Sequence, residues 1–482
     1  MNVTNSAGGL PAIASSLSPF AREGGVGSDG DRPELPSTGG AAALTLSSAI
    51  SDGEGYAKPG YAWAVVAILL AAYTVALLDR QIMSLMVEPI RRDLAITDTQ
   101  LSTLMGFSFV LFYGTMGLAL GRLADRLNRR NLIVGGIVIW CLATAACGFA
   151  RSYWELFAAR MMVGFGEAAL SPAAYSMIAD YFSPRTRPRA NSVYSMGVFI
   201  GTGVAMIAGG AAIAAASASI GEAIPFLSGM APWKLAFLLV GLPGLPMAAI
   251  MLAVREPGRK GRAKVAGSWH DLRVFLRGRY GIFLALLFGF GTNGLLNYCA
   301  STWGPSVFVR KFGWTTLQTG LATGLILLIA APAGVLFGGW WATRRPLANP
   351  SLALLRTART AMLCTVPLLV ILATASAASV ALAAMAVLMF AIGIPGSLAP
   401  AAFYEITPNE FRGQVTAFYL FAVSVLGLGI GVTAIAAVND YVIVDATAIG
   451  TSMAIVMSVA AVGGALCLQA ALRYHLGQRA SP

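Results

Sequence analysis

Long apolar stretches separated by short polar connectors fill the chain from residue 58 onward. Read as spans, they cover 61–85, 99–120, 131–150, 154–179, 190–214 and 233–254, then 279–303, 316–342, 354–373, 378–402, 412–437 and 450–473. An α-helix needs about 20 predominantly apolar residues to cross a hydrocarbon core about 30 Å thick. Inside that core every backbone N–H and C=O must be bonded within the protein, so only helices and closed barrels are viable. The runs here are continuous rather than ten-residue segments of alternating polarity, which excludes a β-barrel. The pattern predicts an all-α polytopic membrane protein with twelve transmembrane helices.

The polar connectors between the stretches alternate in charge. Those after the even spans, with their flanking turns and the C-terminal tail, hold 22 of the 33 Lys and Arg residues, and those after the odd spans hold six. Basic loops stay on the cytoplasmic side, so both termini are expected there. That arrangement requires an even number of spans, as the hydropathy pattern gives. A multi-pass protein of the bacterial inner (cell) membrane is the corresponding expectation. Residues 1–57, rich in Ser, Gly, Ala and Pro without periodicity, read as a disordered tail. They lack the basic start, apolar core and cleavage site of a signal peptide. Residues 58–254 then form a first six-helix bundle and 279–474 a second, with 475–482 as a tail. The linker, 255–278, carries Trp269, Leu272, Phe275 and Leu276 at helical spacing beside Arg273 and Arg277. It reads as an amphipathic helix on the membrane surface or as a solvated basic linker.

Composition narrows the function. The chain is 57% hydrophobic and 11% charged, where a soluble domain carries about 25% charge. The net charge of +12 is spread over the connectors and not gathered on a soluble surface, which argues for orientation in the membrane and against nucleic acid. Cys141, Cys147, Cys299, Cys364 and Cys467 lie in apolar segments without metal-ligand spacing and read as small packing residues. The only histidines, His270 and His475, lie outside the spans. No metal and no cofactor are expected. There is no phosphate-binding G-x-x-x-x-G-K-[ST] loop for an ATP-driven pump, and no HExxH or GxSxG from which to build a membrane enzyme. A channel is the other rival, set against alternating access by the twofold repeat and a one-sided gate motif.

That repeat is weak but in register. Pro172-Ala173-Ala174-Tyr175 echoes Pro400-Ala401-Ala402-Phe403, and the stretch 187–194 echoes 412–419. Two related six-helix bundles place a solute site at their interface near mid-membrane.

Charges inside the spans mark candidate chemistry, because a charge at mid-bilayer costs roughly 2.5–3.5 kcal/mol on insertion scales and generally pairs or works. Span one holds Asp79 and Arg80; span four holds Arg160 and Glu167, seven residues apart and so on one helix face. Gly164 and Gly166 beside Glu167 allow a helix or solute to approach closely. Desolvation and a neighbouring guanidinium act in opposite directions on a carboxyl, so Asp79 and Glu167 are the candidate proton carriers. Arg80 and Arg160 are the candidate binders of an anionic headgroup. A static ion-pair network that merely fixes packing is the alternative. Asn293, Asn297 and Tyr298 in span seven offer further headgroup contacts or interhelical hydrogen bonds. Tyr113 and Tyr419 read as packing residues. Glu405 and Glu410 read as gate partners at the basic end.

Gly121-Arg122-Leu123-Ala124-Asp125-Arg126-Leu127-Asn128-Arg129-Arg130, between spans two and three, resembles the major facilitator superfamily signature, with Asn128 in place of the usual Gly. The resemblance implies a cytoplasmic gate formed by Gly121, Asp125, Arg126, Arg129 and Arg130, with Asp125 pairing to basic residues across the bundle. The corresponding connector of the second half, Gly338 to Arg345, has Thr343 where the Asp would stand. Leu78-Asp79-Arg80-Gln81, the Gly121 signature and Gly166-Glu167-Ala168 together resemble the Spinster branch of that superfamily. That likeness implies carriage of a lysophospholipid or sphingosine-phosphate-like solute, with proton coupling proposed for some members. The expected function is therefore proton-coupled transport of an amphiphilic anionic or zwitterionic solute by a monomer, in contact with membrane lipids. A multidrug/proton antiporter and an organic-anion symporter are the alternatives.

Overall fold

In the computed structural model, residues 56–124, 126–183, 185–217, 229–259, 269–344, 350–408 and 411–480 are described. The expectations for Asp125, Glu410 and nearly all of the N-terminal tail lie outside these residues, as do those for the side chains of Thr343, Trp269 and His475. Residues from Gly55 to Pro482 form a single unit, and among the described residues every regular element is helical.

Eleven helices are individually long and apolar enough to cross a membrane: α1 (Pro59–Leu85), α2 (Asp98–Gly121), α3 (Arg129–Cys147), α5 (Arg189–Ala215), α6 (Pro232–Leu252), α7 (Tyr280–Phe312), α8 (Thr316–Ala342), α9 (Leu352–Thr374), α10 (Ala378–Ile406), α11 (Arg412–Ile443) and α12 (Ala446–Tyr474). The remaining span, α4, is interrupted. It runs as Tyr153–Glu167, turns at Ala168 and Ala169, and resumes as Leu170–Tyr181. Its break falls directly after the buried Glu167.

Local chemistry sets several of the ends. A Thr97–Gln100 capping box starts α2, satisfying donors that the first helical turn leaves unbonded. Asn128, the departure from the signature's glycine, accepts the Asn131 N–H and caps α3. Gly313, at φ 66°, ends α7 in a left-handed cap. Helices α7 and α11 outrun the expected spans, to Phe312 and Ile443, because Arg310, Lys311 and Asp440 end the apolar window without ending the helix. A short helix, Trp269–Leu276, precedes α7; its Leu272 is buried, and Phe275 stacks on Phe411 with ring centroids 5.5 Å apart.

Packing follows two six-helix groupings. In the first, α1 lies on α5 and α3 on α4; in the second, α9 and α7 lie on α12, and α8 on α10. The groupings meet where α5 packs on α8, α2 on α11 and α1 on α7. Small residues carry the α5–α8 seam: a Cβ on Gly203 would stand 2.8 Å from the Gly324 carbonyl oxygen, and one on Gly320 2.5 Å from that of Met206. Close backbone approach of this kind replaces the hydrophobic effect, which gives no drive between helices in lipid.

Candidate functional site between the two halves

Asp79 and Arg80 are neighbours in sequence, and so about 100° apart around α1. They serve different partners. Arg80 reaches across to α4, where its Nη2 lies 2.5 Å from Glu167 Oε2, with the two side chains 8% and 1% exposed. The same guanidinium sits 4.3 Å from the Phe109 ring centroid and 5.1 Å from that of Tyr113, both on α2. Tyr298, projecting from α7 in the second half, has its hydroxyl beside it. Tyr113 stacks on Phe109, with ring centroids 5.0 Å apart, as a packing residue does, and also lies beside Arg80; Tyr298 bridges the halves at Arg80.

Asp79 is fully buried, and neither of its carboxyl oxygens has a hydrogen-bond partner. Arg160, Glu167 and Thr144 are its polar surroundings. Arg160 donates from Nη1 to the Asp79 backbone carbonyl at 3.1 Å, while its Nε and Nη2 are unbonded. Glu167 Oε1 and Thr144 Oγ1 are likewise buried without partners. Unmet hydrogen-bonding capacity in a buried cluster is costly. The unpaired carboxyl oxygens of Asp79 and Glu167 can therefore take up a proton, and the unpaired Arg160 nitrogens can donate to a polar group. Gly164 and Gly166 admit neighbouring helices, not solute: a Cβ on Gly164 would lie 2.6 Å from the Phe109 carbonyl oxygen, and one on Gly166 2.7 Å from that of Gly136.

The span-seven expectation divides. Tyr298 joins Arg80. Asn293 is buried and donates from Nδ2 to the Ile392 carbonyl at 3.2 Å, an interhelical bond to α10. Asn297 is half-buried on the same helix. Tyr419 packs on Phe403, and Glu405 is exposed.

The described basic residues of the signature connector bond within the first half, while the expected partner of Asp125 lies outside the described residues. Arg129 is buried; it bonds Glu256 at 2.7 Å, the Pro257 carbonyl at 2.8 Å, and also Asp180. The Arg130 N–H donates to Glu256, and its guanidinium to the Leu252 and Val254 carbonyls. Gly121 faces Pro172 of α4, and Arg126 is exposed. These bonds tie α3 to the ends of α4 and α6.

Polar bonds that join the halves are concentrated on the opposite face, at residues the sequence reading treated as loop charges. Arg310 of α7 forks onto Asp98, with 2.6 and 2.7 Å bonds, and bonds Glu88 at 2.6 Å. Asp98 also accepts from Asn439 at 3.1 Å, and Asp440 accepts from the Thr99 N–H and hydroxyl at 2.6 and 2.7 Å. Two-pronged Arg–carboxylate pairs are the strongest of these. Among the described residues no group of His, Cys, Asp and Glu is placed to hold a metal ion.

The model of the family described as the Major Facilitator Superfamily matches residues 69–432. The chain belongs to the major facilitator superfamily. Its members move solutes across membranes and are not enzymes. The transporter is 27% identical over 419 residues to an MFS-type efflux pump of Mycolicibacterium smegmatis, covering 85% of this chain and 92% of that protein. It is 28% identical over 314 residues to Protein spinster homolog 1 of Bos taurus, spanning 56% of that protein's length. Among solved structures, it overlays on a bacterial homologue of the human lysosomal transporter Spinster in an inward-facing, unoccupied conformation. That match has a TM-score of 0.76 and 23% identity, over 88% of this chain and 100% of the other. A D-xylose–proton symporter matches with a TM-score of 0.66 and 16% identity, over 83% and 97% of the two chains. Both likenesses are of fold.

Proposed function

We propose that the transporter carries an amphiphilic anionic or zwitterionic solute, of the lysophospholipid or sphingosine-phosphate kind, by proton-coupled alternating access in the bacterial inner membrane. The observation that carries this reading is the Arg80–Glu167 pair, buried at the junction of α1, α2, the α4 break and α7. With Glu167 ionised, its charge holds Arg80. A proton on Glu167 removes that charge, and Arg80 turns to a phosphate or carboxylate headgroup, assisted by Tyr298. Asp79 and Arg160 form the second acid–base couple. Loss of the proton restores the internal pair and expels the headgroup. Proton and anion therefore favour each other's binding by a reciprocal coupling free energy. With the basic connectors taken as cytoplasmic, both termini lie inside, and the Arg310–Asp98 side, bonded across the halves, is the outward side. The likeness to Spinster proteins supports the solute class.

An alternative is a multidrug/proton antiporter, in which the proton competes with a cationic drug for Glu167; the likeness to an efflux pump over 92% of that protein's length favours it. Transport of a fluorescent lysolipid into liposomes under an imposed pH gradient separates the two. The proposal expects gradient-dependent lysolipid flux that Glu167→Gln and Asp79→Asn uncouple from pH. Flux of a cationic dye with no lysolipid competition selects the antiporter, and unchanged coupling in both variants removes the proton role.

A further inference from the structure

A groove on the outer surface of the first half has no part in the site between the halves. It holds about 440 Å³ between α2, α3 and the broken α4. Its walls are apolar, including Leu123, Leu127 and Phe165, and its floor is Gly135 and Gly166. At the basic end its mouth is Asn128 and Asn131. The Arg130 guanidinium donates from Nε to the Asn131 side-chain oxygen Oδ1 at 3.0 Å there, and the exposed Arg126 immediately precedes Leu127. From Asn128 to Ile139, the deepest α3 residue of the groove, α3 rises about 16 Å at 1.5 Å per residue. Half of a hydrocarbon core is about 15 Å. The groove thus runs the depth of one leaflet. Past Ile139 the same face opens into a second hollow, toward the other membrane surface, whose lining includes the acidic Glu155. At that far end Arg151 stands beside Glu155, which accepts its N–H, whereas Arg126 and Arg130 both lie at the connector end.

We propose that an anionic phospholipid of the leaflet on the basic face seats one acyl chain in this groove, its phosphate held at Asn131 and Arg126. Chain length matches leaflet depth, the walls match hydrocarbon, and the basic mouth matches a phosphodiester, which a basic residue near the surface favours by about fivefold in binding. The chain's far end rests on Gly166, one residue before Glu167, so occupancy bears on the α4 break. The site stands apart from the transport reading, since its ligand is resident and not carried.

Gly135 permits a direct test. A Cβ there meets nothing within 4 Å, so a larger side chain grows into the groove and not into the protein. Native mass spectrometry of the purified transporter, titrated with dioleoyl phosphatidylglycerol and with dioleoyl phosphatidylcholine, reads occupancy. Wild type is expected to retain one phosphatidylglycerol about fivefold better than phosphatidylcholine. Gly135→Leu is expected to lose that retained lipid while melting, without added lipid, at the wild-type temperature. Arg126→Gln is expected to bring the two lipids level. Equal retention of the two lipids by wild type, or undiminished phosphatidylglycerol on a folded Gly135→Leu protein, overturns the proposal. Should Gly135→Leu not fold, an unchanged headgroup preference in Arg126→Gln overturns it.

Discussion

Arg80 combines two roles that a different cation would separate. Its guanidinium is planar, so it can bond Glu167 in one direction while its face lies over Phe109 and Tyr113. A lysine ammonium at this position keeps the charge, but is a compact point charge without the stacking plane or the forked donors. On the proposed exchange, Arg80→Lys retains folding and loses about tenfold in affinity for a lysophospholipid, since a desolvated cation–π contact is worth about 1–2 kcal/mol. Isothermal titration with the detergent-solubilised protein measures it; affinity equal to wild type means that Arg80 does not meet the headgroup. The sequence made Asp79, Arg80, Arg160 and Glu167 conspicuous because charge is scarce in an apolar run. It left their partners open, because which buried acid meets which guanidinium depends on how helices far apart in sequence are rotated. The place of Tyr113 beside Arg80 was hidden for a related reason: an aromatic residue in an apolar helix has the same pattern whether it faces a neighbouring helix or a buried cation.

At the scale of elements, the α4 break decides where Glu167 stands. Gly166 and Gly136 hold α4 and α3 together with backbones nearly touching: a Cβ on Gly166 would be 2.7 Å from both the Gly136 carbonyl oxygen and the Trp140 nitrogen. These neighbours are backbone atoms of a packed helix and cannot swing away. Gly166→Val is therefore expected to be destabilised by about 1–3 kcal/mol or more, as overpacked sites are, visible as a lowered melting temperature in fluorescence-detected size exclusion. Undiminished thermal stability means that α3 and α4 are not in close contact. The number, order and limits of the spans were largely legible, since hydropathy and loop charge report directly on the bilayer. The interruption of α4 was legible only in Pro172, which has no N–H for the Ala168 carbonyl four residues earlier and crowds it with its ring; the apolar run continues through the break, so hydropathy alone does not show it. The signature's residues were legible as a motif, yet Arg129 works inside one half, tying α3 to the ends of α4 and α6. Spacing alone does not distinguish pairing within a bundle from pairing across it.

For the whole molecule, the ion pairs linking the halves lie on the face away from the basic loops. Breaking one partner of a buried pair leaves an uncompensated charge costing about 3–5 kcal/mol; Arg310, Asp98 and Glu88 together thus hold this face shut. In the proposed alternating access, the halves rock apart there and close on the basic face, about the α5–α8 and α2–α11 seams. None of these charges drew notice in the sequence, where they stand at helix ends beside loops that are ordinarily charged. A carrier of this kind must link the occupancy of its central site to that motion, and the link proposed is the exchange of Arg80 between Glu167 and the solute. Its most direct test is the affinity of the purified transporter for a lysophospholipid across about pH 8 to about pH 5, for wild type and Glu167→Gln. Protonation removes the charge that holds Arg80, so wild-type affinity is predicted to rise as pH falls, and Glu167→Gln to bind tightly with little dependence on pH. Wild-type affinity that is flat or falls with acidification, or a Glu167→Gln profile superimposable on wild type, contradicts the account.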